Sequence, residues 1–199
     1  MKSHYTTVNI RAYIDEGEAT YIGEQELYEL LSCFSCPVNP DVEHFLHHNA
    51  IEFTKKDQSV TYLVFSDNDD LTGYFSLALK PVSVRADRVS KSAARKLSRV
   101  SVVNEETNTF TASAYLIAQL GKNFALPEDM RMDGSVLLEI ALDTVRRGKY
   151  YFGGVIAFLE CEDVDALMNF YARSGFKYFD SRITSGETRH KLNQLLRLI

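Results

Sequence analysis

The chain has 199 residues, a length that suits one folded domain with room for an added arm. Apolar residues make up 45% and charged residues 25%, an ordinary balance for a folded protein, and the net charge of -5 argues against a general nucleic-acid binder, which is usually basic. Three cysteines set up no disulfide framework, no apolar run approaches the roughly 20 residues of a membrane span, and MKSHYTTVNI lacks the apolar stretch of a signal peptide, so the expected location is the cytoplasm, without a membrane.

Residues 5 to 14, YTTVNIRAYI, are β-branched and aromatic and predict a strand. In ELYELLSCF, Leu27, Leu30, Leu31 and Phe34 fall at helical spacing. Pro37 and Pro40 break the chain, and Asp41 is placed to cap a second helix with Val42, Phe45, Leu46, Ala50 and Phe53 on its apolar face. VTYLVF, SDNDD and LTGYFSLAL read as strand, turn and strand. The segment RADRVSKSAARKLSR is rich in Arg, Lys, Ser and Ala and marks a basic insertion at about 85–100. ASAYLIAQLGK has the near-continuous apolar run of a strand inside a sheet. After a loop through Pro127, the stretch MRMDGSVLLEIAL opens a helix at Gly134, with Leu137, Ile140, Ala141 and Thr144 on one face. GGVIAFLEC reads as a buried strand, and Asp163 as the cap of a helix bearing Val164, Leu167, Met168 and Tyr171 and ended by Gly175. FKYFD is a strand, and the tail KLNQLLRLI fits strand and helix alike. The order predicts a mixed α/β (α+β) layer fold around a central sheet, as a single domain over 1–199.

Four features carry candidate chemistry, each beside a plainer reading. The helix opening at Gly134 offers free N–H groups and partial positive charge for a phosphate, or is simply a capped surface helix. The arginines and lysines of 85–99 (Arg85, Arg88, Lys91, Arg95, Lys96, Arg99) are a phosphate-contacting arm, a lid over an acidic acceptor, or a solvated loop. Glu160 and Glu162 sit near a strand end as candidate bases or as a solvated acidic edge. Cys33 and Cys36 form C-x-x-C near His44, His47 and His48, but the spacing is too short for the usual finger and no second cysteine pair follows, so no metal is expected.

The element order, with Gly134 and the pair Leu137-Leu138 after a strand and loop, resembles the GCN5-related N-acetyltransferase superfamily. There a strand runs into a phosphate-gripping loop of the form Q/R-x-x-G-x-G/A, and a helix with paired leucines follows. NFYARSGF at 169–176 is similar to the family's late helix, with Tyr171 on its tyrosine. FSCPVNPDVEHFLHHNAIEF followed by TYLVF looks like the front end of the subgroup of toxins that acetylate aminoacyl-tRNA, through Phe34, Cys36, Phe45, Leu46, Ala50 and Thr61. That subgroup also inserts a basic segment where RADRVSKSAARKLSR stands. Asp129 stands where the loop has Gln or Arg, and Met132 where it has its first glycine.

The resemblance implies a GNAT-like sheet, mixed and mostly antiparallel, twisted and flanked by helices. It implies acetyl-CoA as co-substrate and a primary amine as acceptor, with aminoacyl-tRNA reached through segment 85–99 as one option and a homodimer as another. It places backbone donors for the thioester oxygen at Leu120, Gly121 and Lys122. It places phosphate contacts at Arg131, Met132, Asp133, Gly134 and Ser135, and a residue near the adenosine phosphate at Arg173. It makes Tyr171 the acid that protonates the leaving thiolate; Glu160, taken from its place near the strand end and not from the resemblance, is the expected base acting through water. The rival expectation, raised by Asp129 and Met132, is a fold relative without catalysis that binds acyl-CoA or a partner.

Overall fold

The computed structural model describes residues 5–184 and 189–199. In chain order the elements are strand β1 (Thr6–Asn9), helices α1 (Arg11–Ile14), α2 (Glu24–Ser32) and α3 (Pro40–His44), and a π-helical stretch (Phe45–Asn49) running into α4 (Ala50–Lys55). Strands β2 (Val60–Phe65) and β3 (Leu71–Arg85) follow, then α5 (Lys91–Leu97), β4 (Val102–Asn104), β5 (Thr109–Lys122) and α6 (Gly134–Phe152). The chain closes with β6 (Ile156–Glu162), α7 (Asp165–Arg173), β7 (Lys177–Ile183) and β8 (Lys191–Leu198). Among the described residues, eight strands form one open, mostly antiparallel sheet in the order β1-β2-β3-β5-β6-β8-β7, with β4 added against β5. This is the mixed, helix-flanked sheet that the sequence predicts.

The first strand is shorter than its composition suggests. It stops at Asn9, whose side-chain oxygen accepts the Arg11 N–H at 3.0 Å and turns the chain into α1. Asn39, not Asp41, caps α3: its side chain accepts from Val42 N at 3.4 Å, and Pro40 takes the first helical position, where no N–H is needed. Asp163 does not cap α7 either. Val164 holds that place without a side-chain bond, and the Asp163 carboxylate reaches Asn193 at 2.9 Å and Lys191 at 3.3 Å. The tail is a strand, inserted between β6 and β7 and paired antiparallel with both.

The chain divides into two compact units, one up to Ala78 with Ala118–Ala141, the other Leu79–Ile117 with Leu142–Ile199. In the first, Leu27, Leu31, Phe34, Leu46, Leu63 and Tyr74 pack the core that α2, α3 and α4 cover. A second cluster there joins Val64, Phe75, Met132, Leu137 and Ala141. In the second unit Val82, Val84, Leu97, Phe110, Phe158 and Phe179 form the core. The basic segment is thus not a loose loop. Ser90 caps α5 by accepting from Ala93 N at 3.3 Å, Leu97 is fully buried, and Ala94 packs beside it. Ala94 and Leu97 face inward from a short helix, while Ser92 and Ser98 stay exposed between the charges.

Candidate active site

In the first unit, the final residues of β5 are held by one buried asparagine. Asn123 accepts from Ser35 N and Ala125 N, both at 3.0 Å, and donates to the carbonyls of Leu71 at 2.8 Å and Cys33 at 3.2 Å. Gly121 sits against the core so closely that a Cβ would stand 2.5 Å from Val42 and 3.1 Å from Phe34. Any side chain would push β5 away from α3. Leu120, Gly121 and Lys122 therefore hold fixed backbone positions. Pairing of β5 with β6 is parallel and runs from Tyr115–Ala157 to Ile117–Leu159, while β5 itself continues to Lys122.

The loop after β5 is built around Arg131. Its guanidinium donates to the carbonyls of Leu126 at 2.8 Å and Phe124 at 3.0 Å and lies 5.2 Å from the Phe124 ring centroid. These contacts clamp the loop, and the charge remains beside the head of α6. Met132 is not a worn glycine facing a ligand. Its side chain is 2% exposed and packs with Phe75 and Leu137, its sulfur filling the space over Gly73. Asp133 caps α6: its carboxylate accepts Ser135 N at 2.7 Å and Ser135 Oγ at 2.6 Å, and its carbonyl accepts Val136 N at 3.1 Å. Those Ser135 bonds, the hydroxyl's first, with Lys122 nearby, hold its carboxyl below the usual aspartate range. The N–H groups of Ser135, a candidate for phosphate, and of Val136 are thereby engaged. Among the described residues the amides of Met132, Asp133 and Gly134 meet no acceptor. They leave free donors at the helix head, a place where an anion can be held, with Lys122 and Arg131 the nearby cations.

In the second unit, Tyr171 lies on α7 with its ring edge-on to Phe170 (5.0 Å) and Phe176 (6.0 Å). Burial, with the Cys161 thiol as a lesser influence, pushes its pKa up to about 12. Its hydroxyl has no hydrogen-bond partner among the described residues, so a protonated donor is available at neutral pH. Glu160 is engaged. Arg182 clasps it through two hydrogen bonds of 2.6 and 2.5 Å, and Gln194 adds a third at 2.8 Å. Burial pulls its pKa up, but the Arg182 and Gln194 bonds outweigh this and leave it below the usual glutamate value. That carboxylate is a weak proton acceptor, whereas Glu162 is exposed. Arg173 is exposed in the last turn of α7. Tyr171, Glu160 and Arg173 thus belong to one unit, and the residues from Leu120 to Ser135 to the other. Sequence reasoning did not single out Asn123, Arg182 or Gln194; the only prior sign was a polar residue ending an apolar strand.

Cys36 is buried in the first core, with its thiol raised by that burial, and its N–H lies 2.5 Å from the Glu43 carboxylate. His47 Nε2 lies 3.0 Å from the Phe34 carbonyl. Among the described residues no group of three His, Cys, Asp or Glu side chains is placed to hold a metal. None of the helices there is long and apolar enough to cross a membrane.

No protein-family model and no curated protein matches the chain. Solved structures do. AtaT complexed with acetyl-methionyl-tRNAfMet superimposes with a TM-score of 0.63 at 16% identity, covering 96% of this chain and 94% of that one. AtaTR bound with AcCoA gives 0.57 at 16% identity over 100% and 94% of the two chains. A Tyr-to-Phe mutant of KacT gives 0.59 at 16% identity over 96% and 94%. The fold is that of the GCN5-related N-acetyltransferases. Met132, where the resemblance expects a glycine, is a core residue, and the loop before α6 is a turn clamped by Arg131.

Proposed function

We propose that the protein is an acetyl-CoA-dependent N-acetyltransferase. The observation that carries this reading is the junction from Arg131 to Leu137, where three successive amides lack acceptors among the described residues at the head of a 19-residue helix. The fold is one in which a likened structure is solved with AcCoA. In the proposed reaction the amides of Met132, Asp133 and Gly134, with Lys122 and Arg131, bind the pyrophosphate. Ser135 contributes as part of the first turn of α6, and Arg173, in the second unit, is the proposed contact for the adenosine phosphate. In the first unit, backbone N–H groups among Leu120, Gly121 and Lys122 are proposed to steady the thioester oxygen as charge builds on it and to align the pantetheine arm. The amine attacks the thioester carbon and expels the thiolate, for which Tyr171, in the second unit, is the proposed proton donor. Glu160 ties β6 to β8 through Gln194 and to β7 through Arg182, and an exposed carboxylate or water removes the amine proton.

The acceptor proposed is an aminoacyl-tRNA, approached through the basic segment 85–99. This finer claim is supported by the acetyl-methionyl-tRNAfMet complexed with the likened AtaT and by the order of α5. The test is acetylation measured with acetyl-CoA and, separately, a mixed aminoacyl-tRNA pool, free amino acids and polyamines. Product only with aminoacyl-tRNA supports the full reading. Product only with small amines keeps the enzyme and removes the tRNA acceptor. No product with any acceptor, despite acetyl-CoA binding, moves the protein to the non-catalytic acyl-CoA binder.

A further inference from the structure

Arg88, Lys96, Lys177 and Arg197 come from distant parts of the sequence and line one cleft of about 390 Å³ within the second unit. Arg88 and Lys96 flank and belong to α5, Lys177 opens β7, and Arg197 lies near the end of β8. No carboxylate is among the residues lining the cleft, in a chain with 27 acidic and 22 basic residues. Arg197 donates to the Ser174 carbonyl at 2.8 Å. Arg88, Lys96 and Lys177 have no ion-pair partner among the described residues. The neighbouring Asp87 is held by Arg85, through bonds of 3.1 and 2.7 Å. Asp87 also attracts Arg88 from outside the cleft, but no carboxylate lines the cleft itself, where the gathered cations repel one another and a bound anion offsets that repulsion. The rest of the lining differs in character. It includes the hydroxyls of Ser90 and Ser92, apolar Val89 and Ala93, and the exposed Tyr178. The cleft volume falls at the low end for small-molecule sites, about 300–1,000 Å³.

We propose that this cleft binds one nucleotide unit, its phosphate held by Arg88, Lys96 and Lys177 and its base against Tyr178. Cations give the phosphate its site, and an aromatic face accepts any base by stacking. That chemistry has two sources, a free nucleoside monophosphate or one nucleotide of a single RNA strand. The second source rests on the reading of segment 85–99 as an RNA-facing arm, to which the cleft adds β7 and β8; the first source does not.

The experiment is calorimetric titration of the full chain with UMP, with a 5′-phosphorylated uridine tetranucleotide, and with inorganic phosphate. It is run at about 50 and 200 mM salt, with and without saturating acetyl-CoA. The expected result is binding of UMP or the tetranucleotide, tighter than inorganic phosphate, weakened by salt and indifferent to acetyl-CoA. Lys177→Glu should weaken it about tenfold or more, and Tyr178→Ala should weaken UMP but not inorganic phosphate. Lys177→Ala, a milder change at an exposed position, serves if the reversal disturbs folding. A tetranucleotide binding well above UMP assigns the strand as the source; equal binding assigns the free nucleotide. Binding of neither ligand, competition by acetyl-CoA, or no effect of the Lys177 variants overturns the proposal. If in the last case Arg99→Glu still weakens binding of whole tRNA, the arm stands and only the cleft is wrong.

Discussion

In the proposed reaction, Tyr171 is the residue on which most of the chemistry turns. With its pKa raised to about 12 it stays protonated through the working range, and its hydroxyl is unengaged among the described residues. Tyr171→Phe should lower turnover by about 10²–10⁴-fold while leaving acetyl-CoA affinity within about twofold, measured by steady-state kinetics and calorimetry. Unchanged turnover would remove Tyr171 from the mechanism. The same shift fixes a pH dependence of stability. The folded state favours the protonated phenol, so this residue's contribution is complete below pH 10, the usual tyrosine value, and is lost as pH rises through about 12. Melting temperature followed from pH 9 upward should fall less steeply in Tyr171→Phe than in the wild type. Glu160 gives the opposite kind of test. Because Arg182 and Gln194 occupy it, Glu160→Gln should cost about 1–3 kcal/mol of stability and leave the pH profile of turnover in place. Loss of an acidic limb from that profile would make Glu160 the base after all.

At the scale of elements, α6 shows how one residue serves two ends. Asp133 stabilises the helix by capping Ser135 yet sets a negative charge beside the amides proposed for phosphate. Asp133→Asn keeps a cap and removes the charge, so it should tighten acetyl-CoA binding at little cost in stability. Asp133→Ala should lose about 1 kcal/mol of stability. Weaker acetyl-CoA binding by Asp133→Asn would show that phosphate does not approach this helix head. Much of this element was legible in MRMDGSVLLEIAL, because Asp, Gly and the paired leucines mark a helix start and its buried face. What was not legible was the destination of Met132, since a core position and a loop position look alike until Phe75 and Leu137 are known to flank it. The tail was undecidable for a related reason. Leu192, Leu195, Leu196 and Ile199 fall at helical spacing, and only pairing with β6 and β7 makes the segment a strand. Strand β4 was missed because three exposed residues, VVN, carry no burial pattern.

At the scale of the whole molecule, a net charge of -5 hides a local basic surface organised by α5. Arg95 and Arg99 were readable as part of a charged segment, but Lys177 and Arg197 join that surface only through the fold, and nothing in their own neighbourhoods announces it. The order of α5 depends on Leu97, so Leu97→Ala should cost about 2–5 kcal/mol and weaken tRNA binding together with stability. Arg95→Glu with Arg99→Glu should weaken tRNA binding without lowering the melting temperature, and should reduce the slope of affinity against salt. A double reversal that binds tRNA as the wild type does would detach this surface from the acceptor. The central claim, that an altered loop still leaves a working cofactor site, is tested most directly by calorimetric titration with acetyl-CoA, with desulfo-CoA and ATP as controls. The account predicts micromolar binding of acetyl-CoA and desulfo-CoA and none of ATP. Absence of acetyl-CoA binding at millimolar concentration would contradict it, and would mean that the clamped loop and the Asp133 carboxylate have closed the site.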